Sequence, residues 1–275
     1  MTIARRNALP WPFRAPTALL AIMAGGAIVA TCLAPSLAMV GGAPPAGDGA
    51  GRSVVMVLGS YGTACTATAI APDLLLTAAH CVEPGADYKL VDSGPSRDLS
   101  RPPVLKDIVR IERDPQFELK KLFAHVATAD VAILKLAQPL PMRIPPVPIA
   151  GDSEPVTVGD TFVVAGYGVT IRGDGRTGGT VRAATLVATG QPGTLQIRLF
   201  DPSTKGQSAG LGACAGDSGA PVFRASGAAL TIIGVVSWST GPNLSAGCGG
   251  LTGVTPLVRY RAWILDTARA LGSPL

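Results

Sequence analysis

Three short stretches of the sequence contain residue types that together could attack a carbonyl carbon. They are TAAHC at 77–81, ADVAILKL at 129–136 and GACAGDSGAP at 212–221. A serine hydroxyl is a poor nucleophile at neutral pH, and it becomes reactive when a neighbouring base takes its proton. Histidine titrates in the right range, and a buried carboxylate can hold its ring and stabilise the imidazolium. Glycines beside the serine also let backbone N–H groups converge on the oxyanion of a tetrahedral intermediate.

Each of these residues alone has an ordinary structural interpretation. His80 could be a core histidine, Asp130 could cap the start of a strand, and Ser218 could be one serine in a glycine-rich turn. The three occur in the order His, Asp, Ser, and cysteines lie close to the first and the last. That combination favours catalysis over three unrelated structural roles.

Two other residues could belong to the catalytic set. His125 lies five residues before Asp130, but the stretch LFAHVATA reads as a loop without a neighbouring cysteine, so we interpret it as a bystander. Asp114, in ERDPQF, reads as a turn residue before proline. An α/β-hydrolase is excluded because its chain order is Ser, Asp, His and because Ala220 breaks the Gly-x-Ser-x-Gly pattern.

Residues 1–38 are predicted to be a signal peptide. Arginines are followed by an apolar run at 17–33, and Ser36 and Ala38 are small residues at the positions that a signal peptidase reads. A membrane-spanning helix is one alternative, because the apolar run approaches spanning length. A lipoprotein acylated at Cys32 is another.

The composition of the chain without the predicted leader limits the partners and cofactors that we expect. Without the leader, 20 basic and 18 acidic side chains remain and no Lys/Arg-rich run is left, so we expect no nucleic-acid partner. No constellation for a metal or cofactor is recognised, and no acidic cluster argues for Ca²⁺.

Four cysteines remain, which fits two disulfides in any of three connectivities. We expect a secreted monomer, with the periplasm as an alternative location and no stable membrane association after leader cleavage.

The elements that must position these residues read as β-strands. Short apolar or alternating runs recur between turn signals and predict an all-β barrel or sandwich. The runs lie at 53–59, 66–80, 107–113, 130–136, 161–170, 182–190, 195–200, 220–224 and 230–239. The proline-rich passage 139–155 suits a link between two β lobes. One segment, 258–272, predicts a helix, and the RGD triplet in 172–179 reads as turn chemistry in an exposed loop.

With these residues in view, the chain resembles the chymotrypsin/trypsin-like serine proteases, as a secreted member of bacterial type. TAAHC, DVAILKL and GDSGAP resemble the family's three catalytic motifs, GVVSWS its substrate-binding strand and RYRAWI its C-terminal helix. VAGYGVT resembles the Gly-Trp-Gly stretch of the second lobe, with Tyr167 in place of tryptophan. The resemblance implies two six-stranded antiparallel β-barrels and a C-terminal α-helix. It places the protease domain at 39–270, with lobes at about 39–150 and 156–257 and the helix at about 258–271.

The resemblance also assigns roles within the candidate site. His80 would be general base and acid, Asp130 would orient it, and Ser218 would attack a peptide bond. The backbone N–H groups of Gly216 and Ser218 would form the oxyanion hole, and Ser237 would support Asp130. Two disulfides are implied, Cys65–Cys81 and Cys214–Cys248. A catalytically inactive binding protein of the same fold is the alternative interpretation.

The substrate pocket and the N-terminus complete the implied site. Gly212 would lie at the base of the primary pocket, where no acid is present to bind Arg or Lys, and Gly253 would line one wall. The backbone of Ser237, Trp238 and Ser239 would pair with an extended peptide. We therefore expect a peptide or protein substrate with a small or medium apolar residue at the cleaved position. Cleavage after Ala38 would free Met39, whose α-ammonium would pair with Asp217.

Overall fold

A computed structural model describes residues 39–46, 49–92, 104–124, 126–151 and 155–275. The predicted signal peptide and His125 lie outside these ranges. Within them the chain forms twelve β-strands and two α-helices, together with short 3-10 turns.

The first six strands close into an antiparallel barrel in the order β1-β2-β3-β6-β5-β4. They are β1 Val54–Gly59, β2 Ala64–Ala71, β3 Leu74–Thr77, β4 Tyr88–Asp92, β5 Val104–Arg113 and β6 Ala132–Leu136. Because side chains alternate along a strand, one set fills the barrel and the next set faces outward. On β3, Leu75 belongs to the barrel interior, whereas Leu74 and Leu76 join a second apolar cluster that also contains Ile232 of the other barrel.

The remaining six strands close into a second antiparallel barrel in the order β10-β11-β12-β9-β8-β7. They are β7 Thr161–Gly166, β8 Arg182–Thr189, β9 Ile197–Phe200, β10 Pro221–Ser226, β11 Ala229–Ser239 and β12 Leu251–Pro256. Phe162, Leu186 and Leu199 are fully buried in its interior. The two closed barrels confirm the predicted fold class.

The proline-rich passage connects the two barrels and contacts the surface of each. Its early part follows the first barrel, where the Val147 backbone N–H donates to the Ala69 carbonyl at 2.9 Å. It then reaches the second barrel, where Ile149 forms an isolated bridge with Ile232. The linker therefore contributes hydrogen bonds to both sheets.

The two ends of the described chain pack against opposite barrels. Met39 and Ala43 are fully buried in the second barrel, although the predicted lobe boundary places residue 39 in the first. At the other end, a 3-10 turn at Val258–Tyr260 leads into helix α2, Arg261–Ala270, which contacts β6 of the first barrel. Beyond α2, Lys135 of β6 donates to the Ser273 hydroxyl at 2.7 Å.

The structure also contains elements that the sequence patterns did not predict. Strands β4 and β12 were absent from the predicted runs, since β4 carries Lys89 between its apolar residues and β12 contains Gly253 and ends at Pro256. The short helix α1, Leu119–Phe123, has no side-chain cap. Among the helices in the described ranges, none is long and apolar enough to cross a bilayer.

Candidate active site

His80 and Asp130 are held together by two hydrogen bonds. His80 lies in the 3-10 turn Ala79–Cys81 that follows β3, and Asp130 precedes β6, the neighbour of β3 in the sheet. The Asp130 carboxylate lies 2.7 Å from His80 Nδ1 and accepts from the His80 backbone N–H at 2.9 Å. When Nδ1 carries the proton, the neutral ring keeps Nε2 free as a base.

A third donor completes the environment of the Asp130 carboxylate. Ser237, near the end of β11, donates its hydroxyl proton to Asp130 Oδ2 at 2.5 Å. Asp130 is fully buried, whereas the His80 side chain keeps 19% of its surface exposed. The carboxylate is therefore shielded from water while the imidazole remains accessible. The Ser237 hydroxyl therefore donates to the same carboxylate oxygen that faces His80 Nδ1.

Ser218 lies on a turn that is anchored to both barrels. The Ser218 carbonyl accepts from the Thr66 backbone N–H at 2.9 Å, and the Thr66 hydroxyl donates to the Gly216 carbonyl at 2.7 Å. Gly216 has a φ of +94°, and an added Cβ there would lie 2.9 Å from the Gly168 Cα. A side chain at position 216 would therefore strain and displace the backbone whose N–H groups could bind an oxyanion.

Asp217, beside the serine, is a fully buried acid within the second barrel. Its carboxylate accepts from the Gly168 backbone N–H at 2.8 Å and from the Cys214 backbone N–H at 2.9 Å. Burial raises the pKa of Asp217 to about 7, because the two hydrogen bonds offset only part of the lost hydration. A Cβ on Gly168 would lie 2.4 Å from the carboxyl carbon, so only glycine allows this close approach.

Two disulfides brace the turns that carry His80 and Ser218. Cys65 of β2 is joined to Cys81, the residue after His80. Cys214, four residues before Ser218, is joined to Cys248. These are the two pairings that the resemblance implied.

A cavity of about 240 Å³ opens beside Ser218, and we call it the acyl pocket. Its walls come from Ala213 and the Cys214–Cys248 disulfide, from Trp238 and Ser239 at the end of β11, and from Arg172. The Arg172 guanidinium donates to the Ala246 carbonyl at 2.8 Å. No acidic side chain lines the pocket within the part of the chain that the structure describes.

Gly212 and Gly253, which the resemblance placed at the base and in one wall of the primary pocket, are not in its described lining. A Cβ on Gly212 would lie 3.3 Å from Gly249 and 3.5 Å from the Thr252 hydroxyl. A Cβ on Gly253 would lie 1.9 Å from the Trp238 ring, so this glycine allows the indole to pack on β12.

Thr252 is a buried residue at this site that the sequence patterns did not reveal. Its hydroxyl accepts from the backbone N–H of Ala213, a residue that lines the pocket, at 3.0 Å, and Thr252 is fully buried. The LTG stretch gives no sign of this contact, because the contact depends on how β12 lies against the turn before Ser218.

Two further groups of titratable residues have structural explanations. Asp114 is buried, its carboxylate accepts from the Gln116 backbone N–H at 2.9 Å, and burial raises its pKa. Asp114 therefore forms the turn before proline that the sequence predicts. The side-chain ligand atoms of Cys65, His80 and Cys81 lie within 4.8 Å of one another. The two sulfurs form a disulfide and carry no thiolate charge, so we do not assign a metal site to them.

Comparison with known proteins identifies the family. Residues 39–264 match the sequence model of the trypsin family, a range that covers most of the chain. Human kallikrein-11 is 26% identical over 213 residues, which cover 74% of this chain and 72% of that protein. The chain therefore belongs to the trypsin family of serine endopeptidases.

Proposed function

We propose that the protein hydrolyses peptide bonds through an acyl-enzyme intermediate on Ser218. The single observation that supports this most directly is the 2.7 Å contact between His80 Nδ1 and the buried Asp130 carboxylate. His80 Nε2 takes the proton as Ser218 Oγ attacks the substrate carbonyl carbon, and the same proton passes to the leaving amine as the C–N bond breaks. Water then attacks the ester, returns a proton to Ser218 through His80, and releases the carboxylic acid.

The backbone N–H groups of Gly216 and Ser218 are proposed as the donors that stabilise the oxyanion. The turn between Cys214 and β10 supports this role, because Thr66 and Gly168 pack against it from two sides. Preorganised donors of this kind do not need to reorient as charge develops on the oxygen.

A fluorophosphonate probe separates this function from that of a catalytically inactive binding protein. We expect covalent labelling of one serine, which peptide mapping places at Ser218. Ser218→Ala should abolish labelling, and His80→Ala should slow it strongly, since the hydroxyl loses its base. A folded protein that resists the probe would overturn the proposed function.

The acyl pocket is proposed to take a small or medium apolar side chain. The absence of an acid in its described lining, together with the guanidinium of Arg172, disfavours Arg and Lys at the cleaved position. Trp238, Val236 and the disulfide supply apolar surface. Profiling with a peptide library tests this, and dominant cleavage after Lys or Arg would contradict it.

We also propose that the protein is exported and that cleavage after Ala38 supplies an activating N-terminus. Met39 and Asp217 are both fully buried, and a desolvated carboxylate with two backbone hydrogen bonds is stabilised in its ionised form by a cation beside it, which supports a pairing with the Met39 α-ammonium. N-terminal sequencing of the active, exported fraction tests both statements. A start at Met39 is expected, and activity that is unaffected by acetylation of that amine would argue against the pairing.

A further inference from the structure

Cys65, Cys81 and His80 bring together three side chains of the types that Zn²⁺ prefers. Their ligand atoms lie within 4.8 Å of one another, and Cys81 Sγ lies 3.9 Å from His80 Nε2. In the described ranges this is the one group of at least three His, Cys, Asp or Glu side chains that is placed to hold a metal ion. The disulfide prevents metal binding, but a newly made chain carries both cysteines as thiols. This dithiol form is therefore a separate state with its own ligand chemistry.

Backbone hydrogen bonds hold the two cysteines in place without help from the disulfide. Cys65 lies on β2, where it pairs with Val57 of β1 in the antiparallel ladder. Cys81 ends the 3-10 turn, and its backbone N–H donates to the Ala78 carbonyl at 3.2 Å. Both cysteines are buried in the core of the first barrel. We therefore expect the sulfurs of the dithiol form to remain beside the His80 ring.

The Asp130 carboxylate prepares His80 to act as a metal ligand. It lies 2.7 Å from Nδ1, so the proton of the neutral ring stays on Nδ1 and the lone pair stays on Nε2, the nitrogen that contacts Cys81. Zinc-binding histidines almost always donate their other N–H to a carboxylate, a carbonyl or water, and this contact fixes the ring and raises its basicity. The contact that supports catalysis therefore also supports metal binding.

The spacing and the charge of the cluster both suit a four-coordinate zinc site. In a tetrahedron, Zn–S bonds of about 2.3 Å and Zn–N bonds of about 2.0 Å place sulfur and nitrogen roughly 3.5 Å apart. The 3.9 Å between Cys81 Sγ and His80 Nε2 is close to this spacing. Two sulfurs that are not bonded to each other must separate, and about 3.8 Å between them fits the same tetrahedron. Two thiolates and one Zn²⁺ make a neutral centre, which burial penalises far less than an isolated ion.

We propose that the dithiol form of this protein binds one Zn²⁺ through Cys65 Sγ, Cys81 Sγ and His80 Nε2, with water at the fourth position. Each thiol releases its proton as its sulfur binds the metal. The metal then occupies the Nε2 lone pair, so His80 can no longer take the proton of Ser218. An incoming disulfide oxidises the two thiolates to the Cys65–Cys81 bond, is itself reduced to two thiolates, and releases the metal. The loss of activity rests on the proposed function, whereas the metal site does not.

Co²⁺ reports the site directly in the reduced protein. A phosphine reductant converts each disulfide to two thiols and becomes a phosphine oxide, with the oxygen and the two protons supplied by water. Titration with Co²⁺ should then give one equivalent of a tetrahedral complex with thiolate-to-metal absorption, and Zn²⁺ should displace the Co²⁺. The oxidised protein should give no such signal. Near-ultraviolet circular dichroism verifies that the reduced, metal-bound chain is folded.

Cysteine variants assign the signal to the proposed ligands. Cys65→Ser and Cys81→Ser should each abolish the stoichiometric signal, because one thiolate ligand is lost. The double variant Cys214→Ser, Cys248→Ser is the matched control, since it removes the other disulfide of the described chain. It should bind Co²⁺ as the parent does.

Asp130→Asn separates a folded site from an unfolded chain that binds metal through its cysteines. We expect this variant to weaken Zn²⁺ binding to the reduced protein about ten- to a hundredfold, because the His80 ring loses the carboxylate that orients it. In an unfolded chain the substitution should have no effect, since Asp130 lies 50 positions from His80.

Fluorophosphonate labelling connects the site to activity and distinguishes the two proposals. Zn²⁺ should block labelling of the reduced protein, a chelator should restore it, and the oxidised protein should be labelled in either case. A reduced protein that resists the probe without metal, or that zinc leaves unchanged, would overturn the inactivation. An oxidised parent that resists the probe would overturn the proposed function and leave the Co²⁺ signal in place. A reduced parent that unfolds with metal present, or binds Zn²⁺ equally well after Asp130→Asn, would overturn the metal site alone.

Discussion

The substitution Asp217→Asn should change how the stability of the protein depends on pH. In a chain whose Met39 amine is acetylated, no ammonium can pair with the Asp217 carboxylate. Burial raises its pKa from an ordinary 3.8 to about 7 in the folded state. Between these values the folded protein keeps the proton that the unfolded chain releases. This stabilising effect is fully present below about pH 4 and is lost as the pH rises toward 7.

The rise in the pKa of Asp217 corresponds to about 4 kcal/mol of unfolding free energy over that window. Asparagine does not titrate, but its side chain has one acceptor oxygen and can keep only one of the two bonds from the Gly168 and Cys214 backbone N–H groups. We therefore expect the variant to lose about 1–3 kcal/mol at every pH. Relative to that constant offset, it should gain up to about 4 kcal/mol over the native acid between pH 4 and pH 7. Urea unfolding between pH 4 and 8, with the disulfides intact, measures this difference. A difference that stays constant across the range would refute the reasoning.

Two controls test whether the burial of the Asp217 carboxylate causes this pH dependence of stability. A free Met39 amine should reduce the loss of stability near pH 7, because an ammonium favours the ionised carboxylate. Asp201 should show the opposite dependence. Burial alone would raise its pKa, but hydrogen bonds from the backbone N–H groups of Leu211 and Ser203 outweigh burial and hold it below its usual value. Its contribution to stability should be present at neutral pH and lost on acidification, and Asp201→Asn should remove it.

Three further changes give separate outcomes. Thr252→Ala removes the acceptor of the Ala213 N–H, so we expect a loss of about 1–3 kcal/mol in urea unfolding, which Thr252→Ser should largely avoid. Arg172→Ala should raise kcat/KM for cleavage after lysine about fivefold relative to cleavage after alanine, since one repulsive charge of about 1 kcal/mol is removed. An unchanged ratio would exclude repulsion as a source of specificity. Ser273→Ala should cost about 1–2 kcal/mol of unfolding free energy, because its hydroxyl bonds with Asp73 at 2.6 Å and with Lys135 at 2.7 Å. Activity should be unchanged.

The fold class could be predicted from the sequence because alternating side chains mark most of its strands. In β8, residues 182–189, every second side chain is buried, as the pattern requires. Strand β12 was missed, since Gly253 lies under the Trp238 ring and carries no apolar side chain to complete an alternation. The lobe boundaries placed residue 39 in the first lobe, whereas the implied pairing of Met39 with Asp217 requires it to lie in the second barrel, where it is buried.

At the candidate site, the sequence motifs predicted His80, Asp130 and Ser218 as a set. The contacts that hold these residues in place could be predicted only in part. Motif order predicted His80 and Asp130 as partners, and they are in contact. The contact of Thr66 with the turn of Ser218 connects residues 152 positions apart and leaves no local signal. Long-range hydrogen bonds of this kind form only when two barrels with separate sequence patterns come together.

Each end of the described chain packs against the barrel formed by the other half of the sequence. Met39 and Ala43 belong to the core of the second barrel, and α2 with Ser273 rests on the first. A cut within the proline-rich linker would produce two fragments, each of which carries a segment that the other needs to complete its surface. The fragments should remain associated after such a nick and should resist separation without denaturant. Made separately, each half would expose apolar surface, and mixing should bring His80 and Asp130 of one half back beside Ser218 of the other. The linker is therefore a natural place to split this enzyme into two complementing parts.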